Sequence, residues 1–180
     1  MPQVRLRPVR MSDAEMCLRW VTDPEVALHL GLTQPPRTVQ DERAWISNVL
    51  TDPEHLRMFV IEDEGGRPIG TSTLRGIDQE EGVCFFGVLI GEKDLWDRGY
   101  GTAATQATLA IAFAELGLRE VRLSCYSRNQ RALRCYEKAG FEIIGREAPW
   151  QPEGGADLRM RIARERWEVS HRGEQGTGDP

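Results

Sequence analysis

No apolar run in the sequence approaches the ~20 residues that a bilayer-crossing helix needs, so a membrane span is excluded and no membrane partner is expected. The N-terminus, Met1-Pro2-Gln3-Val4-Arg5, lacks the apolar core of a secretory signal and moves straight into an alternating pattern; the expected location is the cytoplasm. Cysteine and histidine are scarce. Cys17, Cys84, Cys125 and Cys135 form no Cys-x-x-Cys pair, and only His29, His55 and His171 are there to join them, which predicts reduced, mostly buried thiols and no metal site. Basic residues are not in excess either: the net charge of −5 argues against a nucleic-acid or other polyanion binder, which displays a basic face to phosphates, and suits a cationic partner. No internal repeat divides the chain.

What is present is enough for one well-cored soluble domain: 180 residues, 40% hydrophobic and 28% charged. Residues 170–180 carry no large apolar side chain and several glycines, so they cannot bury enough surface to offset the entropy of ordering. The expected organisation is one domain over residues 1–168 and a disordered tail over 169–180.

Val4, Leu6 and Pro8 alternate with arginines as in a strand, and Ser12-Asp13-Ala14-Glu15 reads as a capping box that starts a helix to about Val21. A second helix is expected over 24–30, a proline-bearing loop over 31–37, and a third helix capped by Thr38, with Ala44, Trp45, Val49 and Leu50 at helical spacing. Strands over 58–62, 68–77 and 83–90, joined by turns at 63–66 and 78–82, make an antiparallel meander. The second half alternates: a helix over 102–116 stopped by Gly117, a strand over 121–125, a helix over 129–139 ended by Gly140, and strands over 141–147 and 158–163. This order is α/β with a mixed sheet.

Leu95-Trp96-Asp97-Arg98-Gly99-Tyr100-Gly101-Thr102 follows the apolar run Val83–Ile90 and opens an alanine-rich helix. Gly99 and Gly101 permit a tight turn and a close backbone approach, and the free N–H groups and positive dipole end of the helix favour an anion. The turn reads as a phosphate cradle, although two glycines between a strand and a helix also make an ordinary connection. It has no Gly-Lys-Ser/Thr ending and no Gly-x-Gly-x-x-Gly opens the first strand–helix unit, so nucleotide hydrolysis and hydride transfer fall behind.

Downstream, Asn129-Gln130-Arg131-Ala132-Leu133-Arg134-Cys135-Tyr136-Glu137-Lys138-Ala139-Gly140-Phe141 resembles the Asn-x-x-Ala-x-x-x-Tyr-x-Lys-x-Gly-Phe signature of the GNAT superfamily of acetyl-CoA-dependent N-acetyltransferases. Trp20-Val21-Thr22-Asp23-Pro24-Glu25-Val26 resembles the Trp-x-x-Asp-Pro-Glu-Val opening of the subgroup that includes the ribosomal-protein alanine acetyltransferases. The resemblance runs from about residue 4 to 168. It implies the GNAT fold, with about seven strands, helices on both faces, and two splayed parallel central strands, here Val83–Ile90 and residues 121–125. It implies acetyl-CoA as co-substrate, bound without a metal, and an amine acceptor as the other partner. Homodimers are common on this fold, so a second copy of the chain is a candidate protein partner.

Acetyl transfer from a thioester to an amine needs a bound coenzyme, a neutral amine within attack distance, a stabilised oxyanion and a proton for the departing thiolate. By resemblance, the backbone of Val88, Leu89 and Ile90 pairs with the pantetheine arm; their side chains alone read as core. The pyrophosphate site falls on the backbone of Arg98, Gly99, Tyr100, Gly101 and Thr102, with the Arg98 side chain nearby. Trp96 stands where many relatives carry Gln or Arg, either as a coenzyme contact or as a plug beside the turn. Asn129 is a good N-cap and, by resemblance, lies near the pantetheine, as does the small Ala132. Tyr136 lies on the same helical face as Ala132 and is the expected general acid, since a phenol stays protonated at neutral pH; read alone it is a core tyrosine.

A base is harder to place. Relatives carry Glu on the central strand, but Val83-Cys84-Phe85-Phe86-Gly87 contains no carboxylate, and Ala103 stands where the closer subgroup has Glu. Asp78, Glu80, Glu81, Asp23, Glu25, His29, Ser124 and Tyr126 remain candidates, with water as the alternative carrier. The expected activity is direct N-acetylation of a primary amine in a ternary complex, the acceptor being a protein or peptide N-terminus, an amino acid, a polyamine or an aminoglycoside. A non-catalytic acyl-CoA-binding module and a scaffold whose turn binds nothing are the rival readings.

Overall fold

Alternating strands assemble into one seven-stranded sheet: β1 (Arg5–Pro8), β2 (Leu56–Glu62), β3 (Pro68–Asp78), β4 (Val83–Ile90), β5 (Glu120–Tyr126), β6 (Glu142–Glu147) and β7 (Asp157–Ala163), in the order β1-β2-β3-β4-β5-β7-β6. A computed structural model of the chain describes residues 1–30, 38–148 and 157–172. Every neighbouring pair is antiparallel except β4 and β5. The helices are α1 (Ala14–Thr22), α2 (Pro24–Ala27), α3 (Val39–Thr51), α4 (Tyr100–Ala110), α5 (Gln130–Lys138) and α6 (Arg164–Arg172).

Period-two patterning splits the core between the two faces. On one, Leu74, Phe86, Val121, Leu123, Leu158, Met160 and Ile162 pack with Leu109 of α4 and with Leu133 and Tyr136 of α5. On the other, Val60 and Met58 meet Cys17 and Trp20 of α1 and Ile46 and Val49 of α3. Helices therefore cover both faces, as expected.

The feature that makes a site is the failure of β4 and β5 to stay together. Their parallel pairing covers only Val83–Phe85 against Glu120–Arg122. Beyond it, β3 holds β4 as far as Ile90 and β7 holds β5 as far as Tyr126, so each half of the sheet follows its own partner and a wedge opens between them.

Several local expectations change. Ser12 does not cap α1. A 3-10 turn, Met11–Asp13, precedes the helix, and the Asp13 carboxylate accepts the Arg10 N–H at 2.8 Å while two N–H groups of Arg7 bind it at 2.8 and 2.9 Å. The buried stripe of α3 is Glu42, Ile46 and Val49, and of the apolar positions read at helical spacing Trp45 and Leu50 are 40% and 47% exposed; two apolar stripes compete on that helix and only one meets α1. Helix α2 ends at Ala27 instead of residue 30, and the loop expected over 31–37 lies outside the described residues. The alanine-rich helix begins two residues early, at Tyr100, because Gly99 at φ +89° is its N-cap. It ends in a π-helical turn, Ile111–Glu115. Helix α6 runs past the expected domain end at residue 168 to Arg172, and residues 173–180 of the expected tail lie outside the described residues.

The Trp20–Val26 opening works in the fold. The Trp20 indole is 2% exposed and donates to Glu92 Oε1 at 2.8 Å, and a Cβ at Gly91 would collide with its ring. Asp23 caps α2 by accepting from the N–H groups of Glu25 and Val26, and it pairs with Lys93 at 2.8 Å. These contacts fix the segment after β4 and so set where the glycine turn begins.

Candidate active site

A cavity of about 550 Å³ occupies the wedge, walled by β4, the glycine turn, α5, the ends of β5 and β7, and the α2 region. Among the expected residues, Val88, Leu89, Ile90, Trp96, Gly99, Tyr100, Gly101, Thr102, Asn129, Ala132 and Tyr136 all line it. Arg98 does not. The cations that face the glycine turn come instead from α5: Arg131, Arg134 and Lys138 line the wall, and Arg131 and Arg134 stand 3.9 and 3.6 Å from the Asp97 carboxylate. Their spacing along one helix was the available signal.

Gly99 has φ +89°, and a Cβ there would lie 3.1 Å from Pro2 Cδ, so the turn itself needs glycine. Gly101 differs. A Cβ built on it would meet Cys135 Sγ at 3.5 Å and Ile90 Cγ1 at 3.9 Å, ordinary contacts, so nothing in the protein demands that it be bare. The first bond of α4 is Ala103 N–H to Gly99 O at 3.0 Å, which leaves the N–H groups of Tyr100, Gly101 and Thr102 without intrahelical acceptors at the positive end of the helix. This cradle can hold an anion.

The open edge of β4 supplies a second binding element. Gly91 N–H donates to Ile69 O at 2.9 Å, and a trans peptide points its carbonyl opposite its N–H, so Ile90 O faces away from β3. Alternation along the strand turns the N–H groups of Val88 and Ile90, and the carbonyl of Val88, to the same open edge. Leu89 pairs with Thr71 of β3 and its peptide groups point there, so of the three expected backbones that of Leu89 is engaged by β3. Trp96 Nε1 donates to Ile90 O at 2.7 Å, and the Arg131 guanidinium lies 3.7 Å from the Trp96 ring centroid. Trp96 thus ties β4 to α5 at the cavity mouth.

Asn129 Oδ1 accepts the Ala132 N–H at 3.1 Å, so its cap role is real and only its amide N–H groups remain for a ligand. Tyr136 is 7% exposed and packs edge-on to Phe86 and Phe141, with ring centroids 6.2 and 5.8 Å apart. Burial and the neighbouring Cys125 and Cys135 push its phenol well above the ordinary value, so it keeps its proton. Its hydroxyl makes no hydrogen bond among the described residues. Burial pushes the Cys125 thiol up to about 12 and raises that of Cys135, which argues against a thiolate nucleophile.

In an antiparallel pair, directly opposite residues share a face. Ser124 opposes Arg159 and Tyr126 opposes Asp157, so these lie on the face away from α4 and α5; Ser124, Tyr126 and Asp157 line the cavity from there, as do Arg75 and, from the α2 side, His29. Among the expected base candidates, His29, Ser124 and Tyr126 reach the cavity. Burial and the charge of Arg131 lower the pKa of His29, which favours neutral imidazole. Asp23 and Glu25 are held by Lys93 at 2.8 and 2.5 Å, and Asp78 and Glu80 line a separate groove beside His55. Asp157 is a carboxylate that sequence reading missed, because nothing in a strand of alternating Leu, Met and Ile tells which neighbour its first residue will face.

A family model described as an acetyltransferase (GNAT) domain matches residues 3–142. The chain is 25% identical over 146 residues to an uncharacterized N-acetyltransferase p20 of Bacillus licheniformis, covering 79% of this chain and 81% of that protein. It is 24% identical over 162 residues to an aminoglycoside N(6')-acetyltransferase type 1 of Klebsiella pneumoniae, covering 79% and 75%. Among solved structures, spermidine N-acetyltransferase from Vibrio cholerae in complex with CoA and spermine shares the fold, with a TM-score of 0.83 at 20% identity over 92% of this chain and 98% of that one.

Proposed function

The chain belongs to the GNAT acetyltransferase family, and on that premise we propose that it transfers acetyl from acetyl-CoA directly to a primary amine of a small cationic acceptor, a polyamine or an aminoglycoside. The observation that carries the proposal is convergence: the glycine cradle, the open edge of β4 and the Tyr136 hydroxyl meet in one cavity. Two similarities point to the acceptor class. The Klebsiella pneumoniae relative is an aminoglycoside acetyltransferase, and the Vibrio cholerae structure holds CoA and spermine. The net charge of −5 favours a cationic partner over an anionic one.

When bound, acetyl-CoA supplies an acetyl thioester. The N–H groups of Tyr100, Gly101 and Thr102, with Arg131, Arg134 and Lys138, bind and orient the phosphates. Val88 and Ile90 offer N–H groups along β4 to pair with the pantetheine arm, and one of them serves the thioester oxygen as charge develops. Tyr136 holds a proton at Oη for the departing thiolate sulfur. The acceptor enters from the opposite face, where Ser124, Tyr126 and Asp157 line the wall, and neutral His29, from the α2 side, is the candidate to take a proton from the amine.

A protein or peptide N-terminus is the second acceptor reading, favoured by the Trp20–Val26 opening of the ribosomal-protein-alanine subgroup. Trp20 packs α1 and Asp23 caps α2, so these two shape the fold, while Val26 lines the cavity. Incubation with acetyl-CoA and a panel of spermidine, kanamycin, free amino acids and Ala- or Ser-starting peptides, read by product mass, tests the proposal. Acetylated spermidine or kanamycin is the expected product; acetylated peptide alone moves the acceptor to the second reading, and no product overturns acetyl transfer.

A further inference from the structure

Resting on the acetyl-transfer reading, we propose that Asp157 is the acceptor-binding carboxylate, receiving an ammonium group of a cationic acceptor on the sheet face opposite α5. Asp157 opens β7 and sits between Tyr126 of β5 and Glu147 of β6 in register. Its neighbour Leu158 points into the α5-side core, so Asp157 points the other way, where it lines the cavity beside Ser124 and Tyr126.

The Oδ1 atom is shielded from solvent and meets no hydrogen-bond donor among the described residues. The two buried carboxylates near β1 show the usual arrangement: Arg7 reaches Asp13 at 2.8 Å and Glu62 at 2.7 Å. A desolvated carboxylate oxygen with no donor is costly, and the carboxylate it belongs to lines the cavity, so a cation drawn against that carboxylate offsets part of the cost. Arg159, two residues along the same face, is paired with Glu147 at 3.2 Å; Arg75 stands across the opening on β3. Burial first, then Glu147, raises the Asp157 pKa, and a bound cation would draw it back to the ionised form.

Asp157 and the α5 cations are set apart in the cavity, although Arg75 also lines the Asp157 face. Arg131 and Arg134 stand beside Asp97 of the glycine turn, on the α5 side, and suit the phosphates of the donor. Asp157 lies across the sheet from them and suits an ammonium. A polyamine or an aminoglycoside carries a second ammonium besides the reacting amine, so one nitrogen can rest on Asp157 while another reaches the thioester.

Calorimetric titration of spermidine and kanamycin into wild type and Asp157→Asn, each saturated with CoA, tests the assignment without requiring turnover. The variant is expected to bind amine roughly ten- to a hundredfold more weakly, the range of a charge-assisted hydrogen bond, with acetyl-CoA affinity within about twofold. Its melting temperature should equal or exceed that of wild type at pH 8, because an unsatisfied charge has been removed; a structural aspartate would instead destabilise on replacement. Equal amine binding by both proteins, no amine binding by wild type, or a lower melting temperature with weaker coenzyme binding overturns the role of Asp157. Amine binding that depends on Asp157 without any acetylated product would sink acetyl transfer and leave this site standing.

Discussion

Replacing Gly101 by alanine separates what the ligand needs from what the fold needs. The added methyl would touch only Cys135 Sγ at 3.5 Å and Ile90 Cγ1 at 3.9 Å, and alanine is better than glycine within a helix by about 0.5–1 kcal/mol. Stability should therefore hold or rise, by roughly 1–4 °C in melting temperature for a chain of this size. The same methyl stands in the cavity wall against the unpaired N–H groups at the start of α4. Losing one contact between these donors and a charged phosphate, at about 1.5–3 kcal/mol, should weaken acetyl-CoA binding roughly ten- to a hundredfold. Gly99→Ala is the control. Its φ of +89° and the 3.1 Å approach to Pro2 should cost ~1–2 kcal/mol of stability. Calorimetry with acetyl-CoA and a thermal melt of both variants give the answer. Unchanged affinity in Gly101→Ala, or a lower melting temperature, would refute the assignment of Gly101 to the ligand.

Tyr136→Phe removes a hydroxyl that bonds to nothing among the described residues, so urea unfolding should shift by less than ~0.5 kcal/mol while turnover falls about 10²- to 10⁴-fold and acetyl-CoA affinity stays near wild type; an unchanged rate takes Tyr136 out of the mechanism. Trp96→Phe loses the bond to Ile90 O but keeps a ring under Arg131, and should cost about 1 kcal/mol in the same assay, with Trp96→Ala costing ~0.5–1 kcal/mol more through the lost cation–π contact. Acid stability should hinge on Arg7. Burial pushes the Asp13 carboxyl up, but hydrogen bonds from Arg7 and from the Arg10 N–H pull it net below its ordinary value, and Arg5 and Arg7 lower that of Glu62. Carboxyls lowered in the fold contribute stability above their unfolded pKa and lose it as pH falls through the folded one. Wild type should lose stability below about pH 4, and Arg7→Ala should flatten that slope in melts from pH 3 to 7; an unchanged slope would place the acid-sensitive groups elsewhere.

The strands and the two motifs that line the cavity were legible because each rests on local chemistry. Alternation wrote β5 and β7, glycine wrote the turn at Gly99, and the face shared by Ala132 and Tyr136 follows from helical spacing alone. Registers and facing pairs were not legible, since they are set by contacts far apart in the chain. The capping box at Ser12 lost to Arg7, which brings Asp13 to β1. Arg98 read as the phosphate cation because it sits in the turn, yet it does not line the cavity, whereas Arg131 and Arg134 of α5 do. Leu89 shows the limit of a three-residue backbone motif: only hydrogen-bond parity tells which peptide groups face the open edge. Asp157 needed both the β5–β7 pairing and the wedge beside it.

The central claim is direct transfer from a thioester to an amine inside one cavity, and a two-substrate initial-rate matrix of thiol release, varying acetyl-CoA against spermidine or kanamycin, tests it most directly. Intersecting double-reciprocal lines are predicted, because both substrates must occupy the wedge together. Parallel lines would mean an acyl-enzyme on a cysteine, and no amine-dependent thiol release would contradict the account altogether.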